Sequence, residues 1–455
     1  MSQARPIWLW LFWALAAAGF IAVLTINLPG QLSVDSVLQL YEGRNNHQMT
    51  FNPWIMSWML GLADAVFRGT GLFVALNAAL LFAALAMLPL LRGTRAGPRA
   101  LVALAFVLIT PQIVNFQGIV WKDVLFANLT VAGFVVLGLG LVRRDRPDLR
   151  WGALAAAVLM LAVAGLVRQN GLIAAPLAAL ACGIGEGRRL GWRRGLVLGA
   201  GGFVAIVALA FLLGAAIRPG SSELKTTDVG LRVLRHYDIA GAVSRDPSLD
   251  LGPIPPQRQA VIRALAPAIF SPERVDTLDS SRDLTRALWQ TPKAALAQAW
   301  GNMVLHRPGL YVSHRITVFR QVFLTPDIAR CGPVTIGVDG PAQIRQALGL
   351  TAETSRNAGF LRAYQQAFHG TPLFSHLTYA ILALAVLGAL ATRREAADLA
   401  VMGLMLAGLG FAASFFLISI ACDYRYLYML DLAALAGLVY WALDPPPLKF
   451  KRRAS

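Results

Sequence analysis

Long apolar runs constrain the fold of this chain more than any other feature of its sequence. Hydrophobic residues make up 56% of the 455 residues and charged residues only 14%. A helix that crosses a bilayer needs roughly 20 consecutive apolar residues. About ten such runs are present, at 7–28, 71–91, 98–116, 120–142, 151–167, 171–185, 195–217, 372–391, 397–420 and 426–443. The sequence therefore predicts an all-α polytopic membrane protein. Its first helix is expected to be retained, because the run is longer than that of a signal peptide.

The basic residues indicate how these helices are oriented. Short cytoplasmic connections carry an excess of Lys and Arg. With the N-terminus inside, cytoplasmic pieces hold 18 of the 41 basic residues: Arg5, Arg92, Arg95, Arg99, Arg143, Arg144, Arg146, Arg150, Arg188, Arg189, Arg193, Arg194, Arg393, Arg394, Lys449, Lys451, Arg452 and Arg453. Both termini are thus predicted to be cytoplasmic. The net charge of +17 is mostly this topological bias, and a nucleic-acid partner is not expected.

The spacing of the runs predicts three regions. An N-terminal block of seven spans covers 1–217, and a closing block of three spans with a basic tail covers 371–455. Within the first external loop, 29–70, the short apolar stretch 54–67 is predicted to lie in the membrane interface. The segment 218–370 is predicted to be external.

The segment 218–370 has mixed apolar and polar spacing, which predicts a mostly helical domain. We expect its helices at 221–243, 256–269, 279–302 and 341–368, with an amphipathic run from 306 to 324. The segment carries 18 basic and 12 acidic residues. This surplus favours an anionic partner, such as a lipid phosphate.

The cysteines and the missing motifs exclude several classes of protein. No CxxC, HExxH, P-loop or GxGxxG occurs in a credible context, which excludes zinc proteases, ATPases and dinucleotide enzymes. Cys182 lies in an apolar run. A Cys331–Cys422 disulfide can form in an oxidising compartment. Two unlinked cysteines are favoured, however, because nothing in the sequence brings them together.

Five basic residues stand apart on the side that this topology assigns to the outside: Arg44, Arg68, Lys122, Arg168 and Arg425. Three of them lie in compact polar clusters, Trp121-Lys122-Asp123, Arg168-Gln169-Asn170-Gly171 and Asp423-Tyr424-Arg425-Tyr426. Charge at a membrane boundary is costly unless it is anchored or used. Clustering of these residues on one face, together with Asp35, therefore indicates a functional site.

Each cluster also has an ordinary structural explanation. Asp35 is equally well explained as the N-cap of a loop helix and as a general base or metal ligand. An interfacial anchor beside a tryptophan accounts for Lys122 but not for Asp123. An Asn-Gly turn, a capping aspartate and belt tyrosines account for the neighbours of Arg168 and Arg425. None of these accounts for the two arginines on the outer face.

A carboxylate with converging cations suits a lipid-phosphate donor. Arg and Lys bind phosphate through charge-assisted hydrogen bonds. A phosphate leaving group needs no general acid, so the carboxylate is available to deprotonate an acceptor hydroxyl.

The chain resembles the GT-C glycosyltransferases, similar to protein O-mannosyltransferases and the aminoarabinose transferases of lipid A. The resemblance is carried by four strings that are similar to a bacterial branch: Pro-Gly-x4-Asp-Ser at 29–36, Lys-Asp-x-x-Phe at 122–126, Arg-x-Asn-Gly at 168–171 and Asp-x-Arg-Tyr at 423–426. It extends to a His-x-Pro…His-Arg run at 306–315. It covers about 7–185 and 420–443, while 218–370 matches in its placement after the seventh span.

This resemblance implies a fold and a chemistry. Asp35 matches the family's acidic residue in the first external loop, and polyprenyl-phosphate sugars would be the donors. The resemblance allows a divalent metal, but two positions depart from the family. Ser36 stands where a second acidic residue is usual, and Asn52 stands where the family often has the His of a His-Pro element.

We therefore expect an inverting glycosyltransferase of the bacterial inner membrane whose site faces the periplasm. The acceptor would be a lipid, a glycan or a protein of the cell envelope. Asp35, or Asp123 in its place, is the predicted catalytic carboxylate. The predicted substrate-binding residues are Lys122, Arg168, Asn170, Asp423, Tyr424, Arg425, His314 and Arg315.

Two other classes of protein are alternatives. A transporter or lipid flippase predicts ionisable groups near the bilayer midplane and repeated halves. This sequence instead has charges at one surface and no repeat. A non-catalytic envelope assembly protein would use 218–370 for docking and would leave Asp35 and Arg425 individually dispensable.

Overall fold

The computed structural model describes residues 6–223, 229–332, 334–351, 356–393 and 395–444. Arg5, Arg394 and the basic tail with Lys449, Lys451, Arg452 and Arg453 lie outside the described residues. The helices are α1 Pro6–Asn27, α2 Val34–Asn45, α3 Trp54–Val66, α4 Gly71–Met87, α5 Pro98–Leu108, α6 Pro111–Val114, α7 Lys122–Val142, α8 Pro147–Val167, α9 Ala174–Leu190, α10 Trp192–Ala216, α11 Val229–Arg245, α12 Pro256–Ile269, α13 Arg282–Gln290, α14 Lys293–His306, α15 Pro308–Leu324, α16 Ala342–Leu348, α17 Ala358–Ala367, α18 His376–Ala391, α19 Ala396–Ile418 and α20 Tyr428–Leu443.

Strands are minor in the described part of the chain. Strand β1, His47–Gln48, pairs in parallel with β2, Ser221–Ser222. The predicted all-α polytopic fold is confirmed, because the described residues are overwhelmingly helical and many of the helices are strongly apolar.

Seven helices of the described chain are long and apolar enough to cross a membrane: Ile7–Asn27, Gly71–Arg92, Lys122–Val142, Pro147–Val167, Trp192–Ala216, Ala396–Ile418 and Tyr424–Leu443. Two further predicted spans are the shorter helices α9, with 17 residues, and α18, with 16. The predicted interfacial stretch is the 13-residue helix α3.

The third predicted span, 98–116, is not one continuous helix. It consists of Pro98–Leu108 and Pro111–Gly118, which meet at a bend of 60°. Thr110 has an extended backbone, with φ −71° and ψ 148°. A residue before proline is pushed out of the helical region by the proline ring, so Pro111 ends one helix and begins the next. The prediction of an unbroken helix there is wrong.

The chain divides into two compact units. The first comprises Met1–Glu223, Val334–Phe411 and Tyr428–Ser455, and the second comprises Leu224–Pro333 and Ala412–Leu427. This division differs from the predicted one, because much of the C-terminal part of 218–370 belongs to the first unit.

The first unit is organised around α7, which is buried along nearly its whole length. Helices α4, α8 and α20 pack against it, and α18 packs against α20. Helices α9 and α10 form a closely packed hairpin, in which α10 also packs against α8 and α9 against α7. The short helices α2 and α3 pack against each other and form the loop between α1 and α4.

The second unit contains α11 to α15 around its own apolar core. Tyr237, Ile262, Leu284 and Val318 are among the fully buried residues of this core. Predicted and observed helices coincide at Pro256–Ile269. The predicted helix 279–302 is instead two helices, because Pro292 caps α14 with an extended backbone.

The remaining two predicted helices of 218–370 also differ from the observed ones. Residues Ser221–Ser222 form β2, 224–228 lie outside the described residues, and the described helix is Val229–Arg245. The predicted helix 341–368 is divided between α16 and α17, and 352–355 lie outside the described residues. Gly349 ends α16 with φ +72°, a conformation that favours glycine.

Candidate functional site

The segment before α2 is joined by backbone hydrogen bonds to the segment before α7. The N–H of Gln31 donates to the carbonyl of Gly118 at 2.9 Å, and the N–H of Val120 donates to the carbonyl of Gln31 at 3.0 Å. Two stretches that are almost 90 residues apart in sequence are therefore fixed side by side.

Two serines extend this junction to the first turn of α2. The Ser36 hydroxyl donates to the carbonyl of Val120 at 2.5 Å, and the indole N–H of Trp121 donates to the Ser33 hydroxyl at 2.9 Å. Asp35 lies between these serines and is half-buried. The predicted base is thus held on the turn that contacts the residues immediately before α7.

The N-cap of α2 is Ser33 and not Asp35. Ser33 has φ −81° and ψ 174°, outside the helical region, and its N–H donates to the Ser36 hydroxyl at 3.3 Å. Asp35 is the second residue of the helix, where the helix dipole favours a negative charge. The capping explanation for Asp35 is therefore wrong.

Lys122, the first residue of α7, contacts the loop that leads into α3. Its ammonium donates to Oδ1 of Asn52 at 2.5 Å. Asn52 is only 5% exposed and also donates from its amide to the Thr50 hydroxyl at 3.3 Å. The residues at the start of α7 thereby contact both the first turn of α2 and the loop between α2 and α3.

Asp123 and Arg168 form an ion pair in the interior of the first unit. Their exposed fractions are 2% and 6%, and the two side chains are in direct contact. The Arg168 guanidinium also lies over the ring of Phe411, 5.6 Å from its centre. The two residues predicted from separate motifs are thus partners, and their charges compensate each other.

The turn after Arg168 requires glycine. The N–H of Gly171 donates to the carbonyl of Arg168 at 2.9 Å. A Cβ at Gly171 would lie 2.6 Å from the carbonyl oxygen of Ala164, which no side chain can tolerate. This close approach fixes the backbone of Arg168 and Asn170. Their predicted role in binding substrate stays a prediction.

The sequence interpretation missed Glu42, which organises the loop that carries Asn52. Glu42 is completely buried. Its Oε1 accepts hydrogen bonds from the N–H groups of Met49 and Thr50 at 2.8 and 2.6 Å, and its Oε2 accepts from the Ser57 hydroxyl at 2.6 Å. Because two of these donors are backbone groups, no motif signals them. The position of Glu42 in a membrane-edge loop was the available signal.

The two other outer basic residues, Arg44 and Arg68, share one partner. Arg44 forms a bidentate pair with Asp64, with distances of 2.9 and 2.7 Å, and Arg68 contacts the same carboxylate at 3.1 Å. Burial alone would raise the pKa of Asp64, but the hydrogen bonds from Arg44 and Gly69 outweigh it and lower the pKa. These arginines therefore stabilise the α2–α3 hairpin.

In the second unit, Asp423 lies between two arginines. Arg274 contacts its Oδ1 at 3.1 Å, and Arg425 contacts its Oδ2 at 3.3 Å. The Arg425 side chain is 13% exposed. Tyr424 is completely buried, and its N–H donates to the carbonyl of Cys331 at 3.3 Å. Their predicted role as substrate ligands stays a prediction.

Cys331 and Cys422 form a disulfide, so the expectation of two unlinked cysteines is wrong. Their Cα atoms are 5.1 Å apart although the residues are separated by 91 positions. The N–H of Cys422 donates to the carbonyl of Glu273 at 2.8 Å. This tertiary contact, which the sequence does not reveal, holds the segment with Asp423 against the rest of the second unit.

His314 and Arg315 lie in the core of the second unit. Both are fully buried, as is Asp238, whose Oδ1 accepts from His314 at 3.0 Å and from Arg315 at 2.8 Å. Burial lowers the pKa of His314, although Asp238 opposes this shift. Arg315 also donates to the carbonyls of Phe416 and Ser419. This network holds both side chains in the core of the second unit. Their predicted role in binding substrate stays a prediction.

The side chains near Asp35 do not fit a divalent cation. The Ser36 hydroxyl is directed at a carbonyl, and Oδ1 of Asn52 accepts from the Lys122 ammonium. The ammonium of Lys122 therefore already binds the Asn52 oxygen that a metal ion would need as a ligand. Among the residues that the structure describes, no three His, Cys, Asp or Glu residues lie close enough to hold a metal ion.

No protein-family model matches the chain, and no curated protein sequence matches it significantly. Several solved structures are similar to it. The oligosaccharyltransferase AglB from Archaeoglobus fulgidus, in complex with an inhibitory peptide and a dolichol-phosphate, matches with a TM-score of 0.45 and 13% identity over 95% of this chain and 50% of that chain. An oligosaccharyltransferase from Archaeoglobus fulgidus in complex with Zn and sulfate matches with a TM-score of 0.44 and 15% identity, over 93% of this chain and 48% of that chain.

The chain is also similar to ArnT from Cupriavidus metallidurans bound to undecaprenyl phosphate. The TM-score is 0.35 and the identity 16%, over 96% of this chain and 78% of that chain. The chain spans about half the length of the archaeal oligosaccharyltransferases.

Proposed function

We propose that this chain is a membrane glycosyltransferase that moves a sugar from a polyprenyl-phosphate donor to a lipid, glycan or protein acceptor outside the cytoplasm. The observation that carries the proposal is the junction between α2 and α7. It holds the carboxylate of Asp35 on a turn whose serines contact Val120 and Trp121. These two residues directly precede Lys122 in the sequence. A base and a cation are the two groups that transfer from a phosphate donor needs.

In the proposed reaction, an acceptor hydroxyl attacks the anomeric carbon of the donor sugar. A new carbon–oxygen bond forms as the bond between that carbon and the phosphate oxygen breaks. The hydroxyl proton passes to the Asp35 carboxylate. Polyprenyl phosphate leaves with the electron pair, and its additional negative charge is stabilised by Lys122. Attack opposite the leaving group inverts the anomeric configuration.

The buried Asp123–Arg168 pair has a supporting role in this proposal. Since each charge compensates the other in the interior, the pair fixes the first turn of α7 and with it the backbone of Lys122. Arg425, held by Asp423 in the second unit, remains a separately predicted phosphate ligand.

The position of other buried ionisable groups does not favour a transporter. His376 and Asp431 form a buried pair at 2.8 Å, and Arg393 and Asp398 form another at 2.6 Å. His376 is the first residue of α18, and Asp431 and Asp398 lie in the first turns of α20 and α19. Arg393 and Asp398 lie at a helix end, whereas substrate-coupled groups of transporters lie near the midplane. Asp431 lies deeper in the candidate span Tyr424–Leu443, but it is already paired with His376.

The proposal is tested with the purified protein in lipid nanodiscs, supplied with synthetic polyprenyl-phosphate sugars and envelope acceptors. We expect stoichiometric release of polyprenyl phosphate and a product whose anomeric configuration is opposite to that of the donor. Transport of the intact donor across a sealed vesicle without cleavage would contradict the proposed function. A product with retained anomeric configuration would contradict the proposed single-step mechanism.

A further inference from the structure

The hairpin of α9 and α10 ends in a rigid, strongly basic tip. Gly191 forms the turn with φ +89°. A Cβ on Gly195 would lie 2.4 Å from Cα of Gly187, so the two helix backbones are in direct contact. Small residues permit this kind of close packing between membrane helices. The tip therefore presents its side chains from a fixed backbone.

Charge at this tip is only partly compensated by carboxylates. The segments 143–150 and 186–194 contain eight arginines and three acidic residues, a surplus of five positive charges. Glu186, which is 1% exposed, pairs with Arg150 at 3.1 Å and with Arg144 at 3.8 Å. An excess of arginine in a cytoplasmic connection is ordinary. This topological bias explains the number of arginines, but it does not explain why a cavity lies among them.

That cavity has a volume of about 160 Å³ and is lined by Arg144, Arg188 and Arg189 together with Ala396 and Leu399. Ala396 is the first residue of the 23-residue helix α19, whose N-terminus contributes a partial positive charge. The carboxylate in that first turn, Asp398, is held by Arg393 through bonds of 2.8 and 2.6 Å. The cavity thus has the charge and the donors that an anion needs.

A second cavity lies beside the turn of the hairpin. It measures about 400 Å³ and is lined by Leu190, Arg193, Arg194, Val197 and Leu198. Leu190 follows Arg189 of the first cavity directly in the chain, and the lining residues from Arg193 to Leu198 extend along α10 for about 7.5 Å, at 1.5 Å per residue.

Trp192 marks the level of the membrane interface at this tip. Its side chain is 71% exposed, and Arg193 lies over its ring, 5.6 Å from the centre. Exposed tryptophans of membrane helices lie at the level of the lipid headgroups. The basic cavity is therefore at headgroup level, and the apolar cavity extends from it towards the hydrocarbon.

We propose that the tip of the α9–α10 hairpin binds an anionic glycerophospholipid. Arg144, Arg188 and Arg189 hold the phosphate, and one acyl chain follows Val197 and Leu198. Guanidinium groups bind phosphate oxygens through charge-assisted hydrogen bonds, and basic cavities between cytoplasmic helix ends are suited to anionic headgroups. The adjoining apolar cavity distinguishes a lipid from free phosphate, which would not need it.

The test is native mass spectrometry of the purified full chain titrated with phosphatidylglycerol or phosphatidylcholine. We expect the wild type to prefer phosphatidylglycerol. The double variant Arg188→Gln/Arg189→Gln should weaken phosphatidylglycerol binding roughly tenfold or more, the loss expected for hydrogen bonds to a charged group. The matched control is Arg99→Gln/Arg146→Gln, which removes the same charge from two exposed arginines and should leave binding within about twofold.

Equal losses in the two double variants, or no preference for phosphatidylglycerol, would overturn the proposal. Competition by millimolar inorganic phosphate would assign the cavity to free phosphate, and tighter binding of polyprenyl phosphate would assign it to the donor lipid. Both results would also overturn the proposal.

A second variant, Val197→Trp, keeps every charge and fills the apolar cavity. It should weaken binding of long-chain phosphatidylglycerol but not of the dihexanoyl form, whereas equal effects on both would remove the acyl-chain part of the proposal.

Discussion

The ammonium of Lys122 donates a hydrogen bond to Oδ1 of Asn52 at 2.5 Å, and this contact places a positive charge where the loop between α2 and α3 meets the start of α7. Asn52 is one of the two positions at which the chain departs from the metal-binding pattern of the family that it resembles. The other, Ser36, is bound to the carbonyl of Val120. The side chain of Lys122 is therefore the resident cation of the proposed site.

Transfer should not depend on a divalent cation. Because the ammonium of Lys122 already binds the oxygen of Asn52, we expect a chelator to leave the transfer rate unchanged. Lys122→Ala should weaken donor binding by about 1.5–3 kcal/mol, the range for a hydrogen bond to a charged group. The measurement is donor binding and transfer with and without EDTA. Full loss of activity in EDTA, restored by a metal, would refute this prediction.

Removing one partner of the Asp123–Arg168 pair should destabilise the protein much more than removing both. Arg168→Ala leaves a buried, uncompensated carboxylate and should destabilise the protein by about 3–5 kcal/mol. Replacing both residues with leucine should restore most of that loss. Thermal unfolding in detergent measures both effects. If the stable double variant also binds donor normally, Arg168 is not a phosphate ligand. If the double variant is as unstable as Arg168→Ala, the unpaired charge of Asp123 is not the cause of the lost stability.

The disulfide between Cys331 and Cys422 predicts a simple labelling result. Protein denatured without reductant should take up one maleimide, on Cys182, because the other two thiols are bridged. After reduction it should take up three. Mass spectrometry of the labelled chain distinguishes the two states. Three labels without reductant would contradict the disulfide. Since disulfides persist in oxidising compartments, a single label on protein from intact cells also supports an external location of these cysteines.

His236 should make stability depend on pH. Burial, and then the neighbouring Arg232, lower the pKa of His236 from 6.5 to about 4. The unfolded chain therefore takes up a proton near pH 6.5, while the folded protein takes one up only near pH 4. The free energy of unfolding should thus fall as pH decreases through this window, by at most about 3 kcal/mol.

The measurement for His236 is the unfolding temperature at pH 7 and at pH 4.5. His236→Gln should reduce the difference between the two temperatures, while the control His306→Gln, at an exposed position, should not. His314 is shifted in the same direction, so some pH dependence should remain. An unchanged difference in His236→Gln would contradict the prediction.

The fold was predictable from the lengths of the apolar runs, because a bilayer admits few alternatives to helices. The break at Pro111 has a local signal in the proline itself, because proline disfavours a helical backbone at the preceding residue, but the continuous apolar character of 98–116 favours a single span. The site was predictable only in part. Asp35, Lys122, Asp123 and Arg168 could be singled out as polar residues at helix ends, but the pairing of the last two depends on how α7 and α8 pack.

Other features depend on tertiary contacts that a single sequence does not encode locally. Glu42 binds two backbone N–H groups, which have no sequence signature. The disulfide joins residues 91 positions apart. Asp64 accepts hydrogen bonds from both Arg44 and Arg68. These two outer arginines, which the sequence singled out as unusual, therefore belong to an ion-pair cluster of the α2–α3 hairpin.

The measurement that tests the central claim most directly is the transfer rate of Asp35→Asn, with donor binding measured on the same preparation. Asn preserves the size of the side chain, and Ser33 rather than Asp35 caps α2, so folding and donor affinity should remain near wild type. Loss of basicity should reduce transfer by roughly 10²–10⁴, the usual contribution of a positioned base. The matched control, Asp283→Asn at an exposed position, should transfer normally. A well-folded Asp35→Asn protein with wild-type transfer would contradict the account.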